Sequence, residues 1–201
     1  MTDHSLTYPL TSRTVHLCVD MQRMFAAEGP WPTPWMARVL PVIEEIARCH
    51  PERTVFSRFI PPANAGEMPG MWQRYYTRWR AATRACIDRE LLELMPDLRC
   101  YSPPATVIDK TRYSAFFGST LLQHLLDREA DGLILTGAET DVCILATALS
   151  AVDLGYRVIL VTDALCSSSD TGHDALMKMY HTRYSEQIET SDAETVLSNW
   201  R

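Results

Sequence analysis

Lysine is scarce in this sequence: of its 19 basic residues only Lys110 and Lys178 are lysines, and the rest are arginines. Positive charge is not in excess either, because the net charge at pH 7 is −6, which argues against a general nucleic-acid-binding surface. No apolar run approaches the ~20 residues that a membrane-spanning helix needs, and no basic segment followed by an apolar one opens the chain. We therefore expect a cytoplasmic protein that binds neither nucleic acid nor a membrane.

Closely spaced cysteines are also missing. The six cysteines are scattered, with no CxxC pair and no zinc spacing, and a reduced cysteine in an apolar run behaves as a small hydrophobic residue. The first predicted strand is followed by DMQRMF rather than by a Gly-rich turn, which disfavours a dinucleotide-binding protein.

Strand-like and helix-like segments alternate along the chain, which is typical of an α/β domain whose mainly parallel sheet is covered by helices on both faces. We expect a single domain over residues 1–201, in which the segment 61–95, opening with a Pro- and Gly-rich loop, is a candidate lid. The predicted strands are 15–20, 54–59, 106–109, 132–137, 156–162 and 186–189, and the predicted helices are 34–49, 88–95, 119–130, 141–154 and 171–184.

Three polar side chains follow three of the predicted strands. Asp20 ends the first strand, Lys110 follows the third, and Cys143 lies in the first turn of the helix after the fourth. Because ligands bind at the carboxyl ends of parallel strands, the three side chains could converge. The helix N-terminus and Lys110 would then lower the pKa of the Cys143 thiol, and Asp20 could carry its proton to a leaving amine.

Each of these residues also has a plainer interpretation. Cys143 could be a buried helical cysteine, Asp20 a cap or turn residue, and Lys110 a solvated charge at a strand end. Their joint placement favours the catalytic interpretation, as does the retention of lysine at position 110 in a chain that otherwise uses arginine.

At these positions the sequence resembles the isochorismatase-like cysteine hydrolases, over most of its length. VHLCVDMQRMF is similar to the family's first strand, with its catalytic Asp and following Gln at Asp20 and Gln22. VIDKTRYSAFFGSTLLQHL resembles the segment that carries the catalytic lysine, here Lys110. LILTGAETDVCILATALSAVDLGYRVILVTDA resembles the nucleophile segment, with Cys143 at the matching position.

The resemblance implies a three-layer α/β/α fold around a mainly parallel, six-stranded, Rossmann-like sheet. It also implies a cis peptide bond between Ala138 and Glu139, and an oxyanion hole formed by the N–H groups of Glu139 and Cys143.

Two departures from the family pattern bear on the chemistry. Nicotinamidases of this family carry an Asp-x-His metal motif after the second strand, whereas the stretch here reads FSRFIPP and supplies neither ligand. We therefore expect no metal and no other cofactor, and nicotinamide is disfavoured as a substrate. Isochorismate-cleaving relatives act on a vinyl ether and need no thiol, so Cys143 points to cleavage of an acyl C–N bond.

The segment 71–85, MWQRYYTRWRAATRA, is the predicted determinant of substrate choice. Four of its aromatic residues, Trp72, Tyr75, Tyr76 and Trp79, recur at helical spacing and would share a face, either in a substrate pocket or in core or subunit-interface packing. Arg74 in this segment and Arg58 before it could clamp a substrate carboxylate, or could be solvated surface charges. The candidates for substrate binding are Gln22, Arg58, Trp72, Arg74, Tyr76 and Trp79.

The leading hypothesis is a hydrolase that cleaves the C–N bond of a small amide, carbamoyl or ureide substrate through a thioester on Cys143. The alternatives are a vinyl-ether hydrolase with no covalent step, and a non-catalytic binding module with a relic site. The presence of all three candidate catalytic residues argues against a relic. The acidic, Trp-rich composition and the family resemblance predict a homodimer or homotetramer whose ligand is a small-molecule substrate.

Overall fold

The computed structural model describes residues 6–200, and its core is a six-stranded parallel sheet. The strands lie in the order β3-β2-β1-β4-β5-β6, and every neighbouring pair is parallel. They are β1 (Thr14–Val19), β2 (Thr54–Phe59), β3 (Thr106–Lys110), β4 (Gly132–Ala138), β5 (Arg157–Cys166) and β6 (Ile188–Ser191).

The two central strands, β1 and β4, are buried along their whole length. Such burial accounts for their near-continuous apolar sequences, since both faces of a parallel sheet are covered. The chain builds β2 and β3 on one side of β1, and then returns to place β4 on its other side. The strand order therefore reverses between β1 and β4, and the crevice at their carboxyl ends is where ligands bind in sheets of this kind.

Helices cover both faces of the sheet and divide its core into two. The helices are α1 (Met36–Cys49), α2 (Met71–Arg78), α3 (Pro96–Arg99), α4 (Leu121–Asp127), α5 (Leu145–Asp153), α6 (Asp170–Thr182) and α7 (Ala193–Asn199). On one face α1 buries a stripe formed by Val39, Leu40, Ile43 and Ile46, the spacing of an amphipathic helix. On the other face α4, α5 and α6 contribute side chains that include Leu125, Ala148 and Tyr180.

The three-layer fold and the positions of the six strands are confirmed, and the differences lie mostly in the helices. The predicted helix 141–154 begins instead with a π-helical turn, Thr140–Ile144, which continues into α5. The predicted helix 88–95 is a short 3-10 turn, Arg89–Leu92. α3 and α7 were not predicted. No helix between residues 6 and 200 is long and apolar enough to cross a membrane.

The segment 61–95 connects β2 to the beginning of α3 and contains α2. Its side chains Tyr76 and Leu94 are buried in the core on the α1 face of the sheet. The segment is thus part of the domain's packing, and its opening as a lid stays a prediction.

Candidate active site

Asp20 occupies the residue directly after β1, where the chain turns away from the sheet. Its φ of 53° lies in the left-handed region, which Asp tolerates better than most residues. Its N–H donates to the Ser57 carbonyl at 3.1 Å, and its Oδ1 accepts a hydrogen bond from the Ser57 hydroxyl at 2.9 Å. Because the side chain is also fully buried, the carboxylate is held in one position.

Lys110 is the last residue of β3, two strands away from β1, and its long side chain crosses the end of β2. On this path its Nζ lies 5.2 Å from the centroid of the Phe59 ring. The ammonium forms an ion pair with Asp20 Oδ2 at 2.7 Å and donates to the carbonyls of Arg112 and Tyr113, each at 2.9 Å. The buried charge is therefore both paired and hydrogen-bonded, as a charge removed from water must be.

Cys143 lies in the π-helical turn that follows β4. The peptide bond between Ala138 and Glu139 is cis, as the family resemblance implied. The Glu139 carbonyl accepts from the N–H groups of Val142 and Ile144. Cys143 lies between these two donors, in the first turn. The cysteine Sγ lies 3.4 Å from Lys110 Nζ. The structure thus brings the three polar side chains together.

Gly137 allows β4 to approach the end of β1 closely enough for this convergence. Its φ is +107°, and a Cβ atom built on it would lie 2.1 Å from the Val19 carbonyl oxygen. Only glycine fits such a backbone without displacement. The position sets the path of the chain immediately before the turn that carries Cys143.

Burial dominates the electrostatics of the cluster. It raises the pKa of Asp20, although the ion pair with Lys110 and hydrogen bonds with Cys143 and Ser57 oppose it. Burial acts to lower the pKa of Lys110, but the Asp20 carboxylate and the contact with Cys143 together outweigh this and raise it. The ammonium therefore stays charged at neutral pH.

The expected lowering of the Cys143 pKa is wrong for the resting site. Lys110 acts in the expected direction, but burial raises the pKa of the thiol and the Asp20 carboxylate raises it further. Burial therefore favours the neutral thiol in the resting site. Asp20, which is paired with the Lys110 ammonium at 2.7 Å, is the neighbouring group that could accept the thiol proton.

A cavity of ≈ 330 Å³ lies over the Cys143 sulfur. Its walls come from the loop after β1, the end of β2, the α2 region and the loops after β3, β4 and β5. The lining residues are Phe25, Pro30, Trp31, Pro32, Phe59, Tyr75, Trp79, Tyr113, Glu139, Val142, Cys143 and Ser168.

Of the six candidates for substrate binding, the structure places Trp79 in this lining and the other five elsewhere. The reason lies in the periodicity of α2. Tyr75 and Trp79 are four residues apart and share the face that meets the cavity. Trp72 and Tyr76 form the neighbouring stripe, in which Tyr76 is fully buried and Trp72 packs against it at 6.2 Å between ring centroids.

The polar candidates are occupied in other contacts. Gln22 Nε2 donates to the carbonyls of Phe59 and Leu92, and its Oε1 accepts from the Phe59 N–H at 2.6 Å. Gln22 therefore fastens the turn after β1 to β2 and to the segment before α3. Arg58 donates to the carboxylates of Asp109 and Glu93, and Arg74 is exposed on α2.

Sequence reasoning missed most of the cavity's aromatic wall. Phe59 ends β2, Tyr113 lies three residues beyond β3, and Phe25 and Trp31 lie in the loop after β1. All of them therefore come from the carboxyl edge of the sheet. That shared position is the signal that would have identified them, whereas helical periodicity pointed only to α2.

Among the residues that the structure describes, no group of three or more His, Cys, Asp or Glu side chains is placed to hold a metal ion. The position after β2 that carries the metal motif in nicotinamidases is occupied here by Phe59 and its neighbours, which offer no ligand in their side chains. The residues present do not fit a metal centre of that type.

The chain matches the isochorismatase domain over residues 14–192, and it belongs to that family. It is 38% identical to an isochorismatase family protein of Bacillus subtilis over 36% of the chain, and 42% identical to the ureidoacrylate amidohydrolase of Variovorax paradoxus over 38% of it. These aligned segments span 40% and 29% of the two relatives. A probable isochorismatase of Pseudomonas chlororaphis is 27% identical over 90% of the chain and 84% of that relative.

Solved structures share the fold. A cysteine hydrolase from Pseudomonas syringae superposes with a TM-score of 0.83 at 22% identity, covering 99% of this chain and 98% of that one. N-carbamoylsarcosine amidase from Thermoplasma acidophilum gives a TM-score of 0.72 at 22% identity, covering 90% and 97%. Both structures therefore support the same parallel α/β architecture.

Proposed function

We propose that the protein is a hydrolase that cleaves a C–N bond of a small amide, carbamoyl or ureide substrate through a thioester on Cys143. The observation that carries this proposal is the position of the Cys143 sulfur, which lines the cavity and lies 3.4 Å from the Lys110 ammonium. A base for the thiol proton belongs to the same cluster, because Asp20 pairs with Lys110 at 2.7 Å. The amidohydrolase and amidase among its relatives and fold neighbours support the same class of bond.

In the first half-reaction Asp20 accepts the thiol proton while the Cys143 sulfur attacks the substrate's carbonyl carbon. The raised pKa of Asp20 makes its carboxylate a stronger base, and Lys110 stabilises the sulfur as it becomes anionic. The carbonyl π electrons move to oxygen, where the N–H groups of Glu139 and Cys143 would bind the oxyanion. When the carbonyl re-forms, the C–N bond breaks, Asp20 returns the proton to nitrogen, and ammonia or an amine leaves.

In the second half-reaction a water molecule hydrolyses the thioester, and the proton transfers run in the opposite order. Asp20 takes a proton from a water molecule as its oxygen attacks the thioester carbon. The C–S bond then breaks, the sulfur recovers the proton from Asp20, and the acid product leaves. The net reaction consumes one water and leaves the thiol and carboxylate as they began.

Hydrolysis of a vinyl ether without a covalent step is the second candidate, which similarity to a probable isochorismatase favours. That reaction needs protonation of the enol ether and attack by water, and Asp20 alone could supply the acid. It makes no use of the sulfur, so the role of Cys143 separates the two candidates.

The test combines intact-protein mass spectrometry with ammonia release over a panel of primary amides, carbamoyl compounds and ureides. We expect an acyl adduct on the wild-type protein, and turnover at background level in Cys143→Ala with the fold intact by circular dichroism. Asp20→Asn should lose roughly 10²–10⁴-fold, the usual range for a general acid–base group. The matched control is Cys49→Ala, which removes an exposed thiol and should leave turnover unchanged.

Near-normal hydrolysis of an amide by Cys143→Ala would show that the covalent mechanism is wrong. Turnover of a vinyl ether by that variant, with no adduct on the wild type, would favour the second candidate.

A further inference from the structure

The cavity over Cys143 offers no positive charge to a ligand. None of its lining residues within the described range 6–200 is an arginine or a lysine, and Glu139 is the only carboxylic acid among them. The Glu139 side chain flanks the cavity, where its Oε1 accepts from the N–H of Ser168. An anionic group entering the cavity would therefore meet a carboxyl group and no counter-ion.

Among the arginines next in sequence to lining residues, Arg78 is exposed outside the lining, with its guanidinium 5.7 Å from the centroid of the Trp79 ring. Arg58 and Arg112 are committed to other contacts. Arg58 donates to Asp109 Oδ1 at 2.8 Å and to Glu93 Oε2 at 2.9 Å, so its charge is balanced by two acids. Arg112 lies 5.4 Å above the ring of Trp72, and its Nη1 donates to the Thr111 carbonyl. Neither guanidinium is available to clamp a carboxylate over Cys143.

Lys110 is not available either. It lies beneath the cavity, fully buried, with its charge paired to Asp20 at 2.7 Å and two of its hydrogen bonds directed to backbone carbonyls. A substrate carboxylate that drew Lys110 away would leave Asp20 as an unpaired buried charge, which is strongly destabilising.

Aromatic rings form most of the remaining wall. The Trp31 ring lies at its centre, with centroids 6.0 Å from Phe25, 6.1 Å from Phe59, 6.1 Å from Tyr75 and 5.8 Å from Trp79. Rings packed at these distances gain from edge and offset contacts with a further ring or apolar group. The volume of ≈ 330 Å³ is near the lower end for small-molecule sites, about 300–1,000 Å³.

Given the C–N hydrolase function proposed above, we infer that the substrate is an uncharged amide whose acyl group is aromatic or otherwise apolar. The site selects against substrates that carry a carboxylate. The amide carbonyl lies against Cys143, and the apolar group lies against Trp31, Tyr75 and Trp79. Selection arises because a carboxylate would lose its hydration there and gain no cation in return.

Three para-substituted benzamides of similar size test this class: 4-methylbenzamide, 4-carbamoylbenzoate and 4-(aminomethyl)benzamide. We expect kcat/KM for the neutral compound to exceed that for the anion by at least about 100-fold, since like charges placed together cost several kcal/mol. The cation should also be a poorer substrate than the neutral compound, because its ammonium would lose its hydration against the rings and the Glu139 carboxyl is already hydrogen-bonded to the Ser168 N–H. An anion or a cation that is turned over as fast as the neutral amide would overturn the inference.

A charge placed in the wall should change this preference. Trp79→Arg puts a guanidinium in the lining, and we expect the neutral-to-anion ratio of kcat/KM to fall by at least about 10-fold. The matched control, Gln73→Arg, adds the same charge to an exposed position of the same helix outside the lining, and should leave the ratio unchanged. Equal ratios in the two variants would contradict the proposed orientation of the apolar group.

Binding to Cys143→Ala separates this inference from the proposed function. If the wild type forms no adduct with any amide, the thioester mechanism fails, but calorimetry on the variant still measures which benzamide binds. Preferential binding of 4-methylbenzamide would support the inference. Preferential binding of 4-carbamoylbenzoate, or binding of none of the three, would overturn it. Adducts formed faster with anionic amides would overturn the inference and leave the proposed function standing.

Discussion

At the residue scale, the thiol of Cys143 and the carboxyl group of Asp20 are both shielded from water. Burial raises the pKa of Asp20 and of Cys143 alike, and Lys110 opposes both effects. A carboxylate with a raised pKa is a better acceptor for the thiol proton and, once protonated, can still deliver it to nitrogen. The ammonium then stabilises whichever partner carries the negative charge.

The pH dependence of the proposed reaction follows from the state of Asp20. Turnover needs Asp20 as the carboxylate, so activity should rise with pH as this group loses its proton. Because burial raises its pKa, we expect the acid limb of the kcat/KM profile to lie above the ordinary Asp value of about 3.9. Ser57→Ala removes a hydrogen bond that lowers this pKa, and should move the limb to higher pH.

The control for this shift is Ser102→Ala, which removes a hydroxyl that donates to the Ala105 carbonyl in a turn before β3. Its profile should match the wild type. An acid limb at the same pH in Ser57→Ala and in the wild type would mean that Asp20 is not the group that titrates.

The sequence predicted which residues would converge, because each follows a strand and parallel strands end at one edge. It predicted the wrong direction for the pKa of Cys143, since that pKa depends on how deeply the turn is buried. It also placed Trp72 and Tyr76 among the substrate-binding candidates, although neither lines the cavity. Helical spacing identifies side chains that share a face of α2, but not whether that face contacts the cavity or the core. Tyr75, one residue from Tyr76, lies in the cavity wall instead.

At the scale of elements, the contact between β1 and β4 decides whether the cluster can form. Gly137 is the position at which the two strands come closest, and a Cβ atom there would lie 2.1 Å from the Val19 carbonyl. Asp20 follows β1 and Cys143 follows β4, so the distance between their side chains depends on that approach. A displacement of β4 would therefore move the sulfur relative to the carboxylate.

We expect Gly137→Ala to destabilise the fold by more than the ~1–3 kcal/mol that a strained backbone conformation costs, because the new methyl group also clashes with backbone. Gly155→Ala is the matched control. Gly155 has a φ of +84° but no atom within 4 Å of a Cβ atom placed on it, so it should show the conformational cost alone. Urea unfolding of both variants measures the difference, and equal free energies of unfolding would contradict the close-contact explanation.

Elements with strong local patterns were predicted well, and those that depend on tertiary contacts were not. β2 was placed at its observed bounds because its apolar run ends abruptly at a proline-rich loop. β5 extends to Cys166, past its predicted end at 162, because pairing with the end of β4 resumes after an irregularity in the register. α7 was missed although Asp192 caps it, accepting from the Thr195 N–H at 2.8 Å.

At the scale of the whole molecule, the proposed reaction uses backbone N–H groups to stabilise the oxyanion and Lys110 to stabilise the sulfur anion, so it needs no metal ion. Within residues 6–200 no cluster of His, Cys, Asp and Glu side chains suits a metal ion, and the sequence lacks the Asp-x-His motif. We therefore expect activity to survive exhaustive chelation. Assays before and after EDTA treatment measure this, and loss of activity that zinc restores would contradict it.

Assembly is the remaining whole-molecule prediction, and we expect a homodimer or homotetramer. The acidic, Trp-rich composition and the family resemblance suggest it, and some large apolar side chains are exposed on the surface. Phe117 is 61% exposed, with the Arg112 guanidinium 5.8 Å from its ring, and Met71 is 69% exposed. The Arg112 guanidinium also lies 5.4 Å from the centroid of the Trp72 ring, so this one cation contacts two aromatic side chains.

Sedimentation at micromolar concentration should give a mass that is an even multiple of the 22.8 kDa monomer. Phe117→Asp should shift the protein toward the monomer, because a carboxylate buried between subunits without a partner is costly. Leu154→Asp, which changes a side chain that is 46% exposed at the end of α5, is the control and should leave the mass unchanged. A wild-type mass near 22.8 kDa would contradict assembly altogether, whereas an even-numbered oligomer that Phe117→Asp leaves intact would place the interface on another surface.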